Sequence, residues 1–287
     1  MKVHLDCIPC FLKQSLEAAR MSTEKEEIHE QVMKELLKHL EDINFKKSPP
    51  ELSREVHRII RNITNTDDPY KKVKDESNEK IKKLFGKLSG RIKDSEDTLI
   101  SAITFAIVGN VIDFGAMNRF NLDEMVENAL EREFDDKDYP IFKKELQKSN
   151  SILYLADNTG EIFFDKLFLE EIKKRNKKIT YVVKQNPIIN DALLEDAEFA
   201  GIDKIAEIIT YDRGQRISTP GIVMEYASDE FKKAYEKSDM IISKGQGNYE
   251  GLSDTNRRVF FLLVAKCPLV ARDIGSNVGK LILKVNK

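Results

Sequence analysis

Leu153-Tyr154-Leu155-Ala156-Asp157-Asn158-Thr159-Gly160-Glu161 is the stretch on which the fold turns. Its apolar run has the length of a buried strand and stops abruptly at two hard oxygen donors. An amphipathic helix pattern follows Gly160 and Glu161. An open α/β sheet places its ligand at the carboxyl ends of its strands, and Asp and Asn oxygens suit Mg²⁺ or Mn²⁺. The same residue types also make an ordinary turn and helix cap, so the segment alone leaves both interpretations open.

Short apolar runs recur downstream at 151–156, 178–183, 206–210, 239–243 and 259–265. The intervals between them accommodate crossover helices, the βαβ pattern of a parallel sheet. Upstream the spacing is helical. Residues 10–20 place Phe11, Leu12, Leu16 and Ala19 on one face, and Ile28, Val32, Leu36 and Leu37 mark the next helix. Pro49-Pro50 opens a third helix, and Asp68-Pro69-Tyr70 opens a polar fourth. The most apolar helix covers 96–112 and is expected to be central; two more follow near 122–133 and 139–148. No strand is expected before residue 150. The sequence therefore predicts an α/β protein: an N-terminal helical bundle domain over 1–148, then a doubly wound three-layer α/β/α domain of Rossmann type over 149–287.

The loops after the other strands carry polar residues too. Asn190-Asp191 follows the second, Asp212-Arg213-Gly214 the third, and Lys244-Gly245-Gln246-Gly247-Asn248 the fourth. Parallel strands bring all these loops to one edge, so Asp157, Asn158, Asp191 and Lys244 are expected in one crevice. Two carboxylates and an amide oxygen give a divalent cation a hard shell with open positions. A lysine beside glycines suits a phosphate. Cation and lysine around a phosphoryl group are the electrostatics of phosphoryl transfer. No Walker loop and no Gly-x-Gly-x-x-Gly run is present, which counts against dinucleotide or methyl-donor binding.

Composition limits the remaining classes. The 287 residues carry a net charge of −2, with 33% charged and 41% hydrophobic residues. That describes a globular chain without the basic stripe of a nucleic-acid binder. No apolar stretch is long enough to span a bilayer. Three cysteines and no apolar signal region at the start point to a reducing cytoplasm.

Taken together, Cys7-Ile8-Pro9-Cys10, Gly109-Asn-Val-Ile-Asp-Phe-Gly115, Asp157-Asn-Thr-Gly-Glu161, Asn190-Asp191 and Ser243-Lys-Gly-Gln-Gly-Asn248 resemble the DUF89 family of metal-dependent damage-control phosphatases. Within that family the chain resembles the prokaryotic subgroup with an N-terminal Cys-x-x-Cys. The resemblance implies a divalent metal, Mn²⁺, Ni²⁺, Co²⁺ or Mg²⁺, held by Asp157, Asn158 and Asp191. It places the family's lysine at Lys244. The implied activity is removal of phosphate from damaged or surplus small metabolites, sugar phosphates or nucleotides among them.

From these residues the expected machinery is Lys244 as phosphate clamp and Asp157 as essential acid. Asn110, Asp113, Glu161, Gly245, Gln246 and Asn248 are expected around the substrate. A carboxylate locked on a cation is a poor nucleophile, which favours water as the attacking group over Asp157. Asn110 and Asp113, three apart, share a helical face and are expected to wall the crevice; a helix C-cap ending at Gly115 is the alternative. Cys7 and Cys10 open a helix, where redox chemistry or a second metal is conceivable and small semi-buried thiols are the plain alternative. Two other functions remain: a methyltransferase using the same crevice, and a non-catalytic nucleotide- or metal-binding redox sensor.

Overall fold

In the computed structural model, residues 1–111, 122–214 and 216–286 are described. Among the described residues seven strands form one sheet: β1 (Phe134–Asp135), β2 (Ser151–Leu155), β3 (Lys178–Val183), β4 (Glu207–Thr210), β5 (Met240–Lys244), β6 (Val259–Val264) and β7 (Leu281–Val285). Their spatial order is β1-β7-β6-β5-β2-β3-β4. The five strands expected from apolar runs are β2 to β6, all mutually parallel where they pair. β5 and β6 are buried at every position, which is why they read as continuous apolar runs.

Two strands depart from the expectation. β1 lies before residue 150, in a region expected to be wholly helical, and pairs with β7. It has two residues, too few to show any period. β7 runs antiparallel to β6, with Leu281 opposite Val264. The connecting helix α12 (Pro268–Ile274) has seven residues, a rise of about 10 Å. β6 needs a return of about 20 Å for a parallel successor. The chain therefore re-enters the sheet at the edge where β6 left it.

Side chains of β2 alternate between two cores, as period two requires. Ile152 and Tyr154 join the core shared with α4 (Lys71–Lys93), α5 (Thr98–Gly109), α6 (Leu122–Leu130), α7 (Tyr139–Lys148), α8 (Glu161–Lys173) and α9 (Leu194–Ala200). Leu153 and Leu155 join the core covered by α10 (Asp229–Lys237), α11 (Gln246–Leu252) and α12. A third core, with Phe11, Ala18, Val32, Leu36, Val56 and Ile60, belongs to α1 (Cys7–Ser22), α2 (Glu26–Glu41) and α3 (Pro49–Thr64). The helices of the first half thus divide. The first three pack on one another, while α4, α5 and α7 form a layer of the sandwich. This mixed α/β architecture has helices on both faces of the sheet, and packing runs across residue 148.

Helix α5 carries the central layer. Asp97 caps it, accepting from the amides of Leu99 at 3.0 Å and Ile100 at 3.2 Å. Its last turn lies close against α8: a Cβ on Gly109 would sit 3.0 Å from Phe164 Cβ. That approach delivers Asn110, immediately after the helix, to the carboxyl edge of β2.

Candidate active site

The strand order reverses between β2 and β5, which are parallel neighbours: β3 and β4 extend from β2 to one side, and β5 and β6 lie on the other. Open α/β sheets bind ligands at this switch point. The loop after β2 and the loop after β3 are zipped together there by their backbones. The Ala192 amide donates to the Asp157 carbonyl at 2.9 Å, and the Thr159 amide to the Asn190 carbonyl at 2.9 Å. Asn158 and Asp191 form an antiparallel bridge between them. Residues 33 positions apart are thereby fixed side by side, and Asp157, Asn158 and Asp191 come together. Just before Asn190, Ile189 is held at φ 45°, a costly conformation for a β-branched residue. Arg61 of α3 braces the same loop, donating to the Pro187 carbonyl and, at 2.9 Å, to the Arg216 carbonyl.

Negative charge is concentrated here. Asp157 and Asp191 are buried, and Glu161 is fully so. Asp157 Oδ2 accepts from Asn110 Nδ2 and Asn158 Nδ2, each at 2.7 Å, and Glu161 Oε2 accepts from the same two amides at 3.0 and 3.1 Å. Burial, then the charges of Glu161 and Asp191, push the Asp157 carboxyl up to about 8. Burial pushes Asp191 up to about 6, with Lys184 opposing; its ammonium stands 3.5 Å away. Asp191 Oδ2 is buried and accepts no hydrogen bond among the described residues. Repelling carboxylates, one of them with an oxygen that faces the Lys184 ammonium at 3.5 Å, form a donor set that fits a hard divalent cation. The residues present therefore agree with a metal held by Asp157, Asn158 and Asp191. The third donor is an amide, and among the described residues no group of three or more His, Cys, Asp or Glu is arranged for a metal.

Lys244 is placed differently from a clamp lining the crevice. Its side chain is fully buried, with Nζ against Glu161 Oε1 and 2.6 Å from Asp165 Oδ1. Burial alone would lower its pKa; Asp165 and Glu161 reverse that and raise it above the ordinary lysine value. Asp165 also accepts from Tyr154 Oη at 2.7 Å and Tyr181 Oη at 2.9 Å. Lys244 is thus the cation of a buried network whose other end is the Glu161 face of the site.

Two cavities meet at Asn158, Ile189, Asn190 and Lys266. One, about 390 Å³, includes Asp157, Asp191, Gln246 and Gly247 in its walls. The other, about 440 Å³, includes Asn110, Lys74 and Arg132. Of the residues expected around the substrate, Asn110 and Gln246 line these cavities. Glu161 stands behind Asn158. Asn248 is buried and fastens two loops, donating to the carbonyls of Ala156 at 3.0 Å and Lys244 at 2.8 Å. The Gly245 amide is committed to the Leu262 carbonyl at 3.1 Å. Asp113 lies outside the described residues. Cys7 and Cys10 line the cavity that holds Asp157.

Sequence reasoning passed over Lys266 and Asp165. Lys266 is exposed, lines both cavities and lowers the pKa of Asp157 by its charge. It stands two residues after β6, so the strand-end rule that singled out Lys244 points to it as well. Asp165 stands four residues after Glu161, one helical turn on, amid an apolar sequence; that spacing was its signal.

Gly245 is fixed by the site itself. It has φ 80°, and a Cβ there would lie 2.0 Å from Asp157 Oδ2. Gly245→Ala must displace either the loop or the carboxylate. The expected outcome is a loss of activity of about a hundredfold, the scale of a 1 Å misplacement, measured as kcat/KM on a generic phosphate ester.

Comparisons with known proteins identify the family. The model of the damage-control phosphatase ARMT1-like domain matches residues 3–282. A protein named damage-control phosphatase from Archaeoglobus fulgidus is 38% identical, covering 99% of each chain. Another so named, from Pyrococcus horikoshii, is 34% identical over 100% of this chain and 99% of its own. A crystal structure of a DUF89 family protein from Pyrococcus horikoshii superposes with a TM-score of 0.87 at 34% identity, covering all of both chains. With the match spanning nearly its whole length, the chain belongs to the damage-control phosphatase ARMT1-like family, the DUF89 proteins.

Proposed function

We propose that this protein is a metal-dependent phosphatase that hydrolyses phosphate monoesters of small, damaged or surplus metabolites. The observation that carries this reading is the convergence of Asp157, Asn158 and Asp191 at the sheet's switch point, with Asp191 Oδ2 buried and 3.5 Å from the Lys184 ammonium. Mn²⁺, Ni²⁺, Co²⁺ or Mg²⁺ fits those donors. When bound, such an ion polarises a phosphate oxygen and offsets the charge of the transition state.

The chain's own residues do the rest. Asn110 fixes the Asp157 carboxylate by donating to it, and Lys184 favours the charged form of Asp191. Lys266, on the cavity wall, supplies a positive charge to phosphate oxygens. Lys244 balances Glu161 and Asp165 from below, so that Glu161 holds the Asn110 and Asn158 amides in place. Lys244 then acts on phosphate through this frame. No helix among the described residues is long and apolar enough to cross a membrane.

The test is hydrolysis of p-nitrophenyl phosphate after chelator treatment, with each divalent metal returned in turn. Activity should vanish with chelator and return with at least one metal. Turnover unchanged by chelator would remove the metal from the account. Metal binding without turnover would favour the sensor.

A further inference from the structure

All three cysteines of the chain, Cys7, Cys10 and Cys267, line the cavity that holds Asp157 and Asp191. They come from opposite ends of the sequence and from elements with separate cores, α1 and the N-cap of α12. We propose that Cys7 and Cys10 are a reversibly oxidised dithiol, a modification site whose closure to a disulfide reshapes this cavity and weakens substrate binding.

The helix makes the bond accessible. Residues three apart in an α-helix have Cα atoms about 5 Å apart, within the range of about 4.4–6.8 Å that disulfides span. Cys10 is exposed and Cys7 half-buried. The Cys7 sulfur accepts one long contact, from the His4 amide at 3.5 Å, so little is lost when it turns toward Cys10. Cys267 is committed elsewhere: its sulfur caps α12 through the Val270 amide at 3.5 Å and meets Gln246 Nε2 at 3.7 Å. It is the bystander of the three.

A hydroperoxide is the oxidant class that fits. The Cys10 sulfur attacks the terminal peroxide oxygen, breaking the O–O bond and giving a sulfenic acid and water. The Cys7 sulfur then attacks the Cys10 sulfur, forming S–S and releasing a second water. Two thiols lose two electrons and two protons, and one hydrogen peroxide is reduced. Burial pushes both thiols up, so the dithiol is slow to react at neutral pH and oxidation quickens as pH rises.

The effect on hydrolysis rests on the phosphatase reading, whereas the disulfide does not. The experiment therefore reads both. The full chain is treated with hydrogen peroxide, then with dithiothreitol. Free thiols should fall from three to one, intact mass should drop by two hydrogens, and peptide mapping should show Cys7 linked to Cys10. KM for p-nitrophenyl phosphate should rise about threefold or more with kcat little changed, and dithiothreitol should restore it. Cys10→Ser should show the same KM before and after peroxide. Retained thiols, sulfonic acid at Cys10, or linkage to Cys267 or to another chain would overturn the dithiol. A Cys7–Cys10 bond that leaves KM unchanged would overturn its coupling to the cavity. If the reduced protein hydrolyses nothing, the phosphatase reading fails while thiol count and mapping still decide the dithiol.

Discussion

Asp157→Asn should abolish metal-supported hydrolysis, by about a thousandfold or more, and at the same time stabilise the metal-free protein at pH 8. Both effects have one cause. Asn is nearly isosteric and keeps an oxygen to accept from Asn110 and Asn158, but it carries no charge for a cation. In the metal-free protein that charge is a burden. The carboxyl is pushed from an ordinary 3.8 up to about 8, first by burial and then by Glu161 and Asp191. An acid whose pKa is raised on folding costs nothing below its unfolded value. Its cost grows as pH climbs from about 4 toward 8 and is constant above that. The wild-type melting temperature in chelator should therefore fall across this window, and the variant's should fall less. A gap on the order of 5 °C at pH 8 is expected, since 1 kcal/mol moves a domain of this size by about 2–4 °C. Asp191, up to about 6, and Glu250, up to about 7, slope the same way and remain in both proteins. The comparison between variant and wild type is thus the informative quantity. Metal should raise the melting temperature of the wild type alone. Equal melting temperatures in chelator at pH 8 would refute the buried-charge account.

Lys244→Met is expected to destabilise by about 3–5 kcal/mol, the usual cost of stranding the partners of a buried ion pair. The fall in melting temperature should be on the order of 10 °C. Lys244 is fully buried between Glu161 and Asp165, so its loss leaves two acids without their cation. Adding Asp165→Asn should recover part of the stability, because one stranded charge disappears. A lysine serving phosphate alone would give the opposite pattern: unchanged melting temperature, raised KM, and no rescue by Asp165→Asn. Thermal unfolding of the single and double variants, with KM and kcat measured separately, distinguishes the two.

These two residues also mark how far the sequence could be read. The inner strands were legible because helices cover both faces and leave their apolar runs uninterrupted. Asp157, Asn158 and Asp191 were legible because strand order and the edge rule bring their loops together whatever the side-chain details. β7 was not, since its direction depends on the short α12 rather than on any pattern of its own. Nor was β1, whose two residues gain their identity only by pairing with β7. Lys244 shows a subtler limit. Its place after a strand was readable, but where its ammonium goes depends on Glu161 and Asp165 meeting it from α8. Lys266, two residues past β6, is instead exposed on the cavity wall.

Asp157, Asn158, Glu161, Asp165 and Asp191 all belong to the single β2-α8-β3 unit and the loop after it, whereas Lys244 arrives with β5. A chain that has folded only this unit has gathered four acids and no lysine between Glu161 and Asp165. Registering β5 beside β2, Leu155 opposite Ser243, brings the missing cation in the same movement that extends the sheet. The register that seats β5 beside β2 is thus also the register that neutralises the acid cluster: a slip of β5 would cost the sheet its pairing and the acids their counter-ion together.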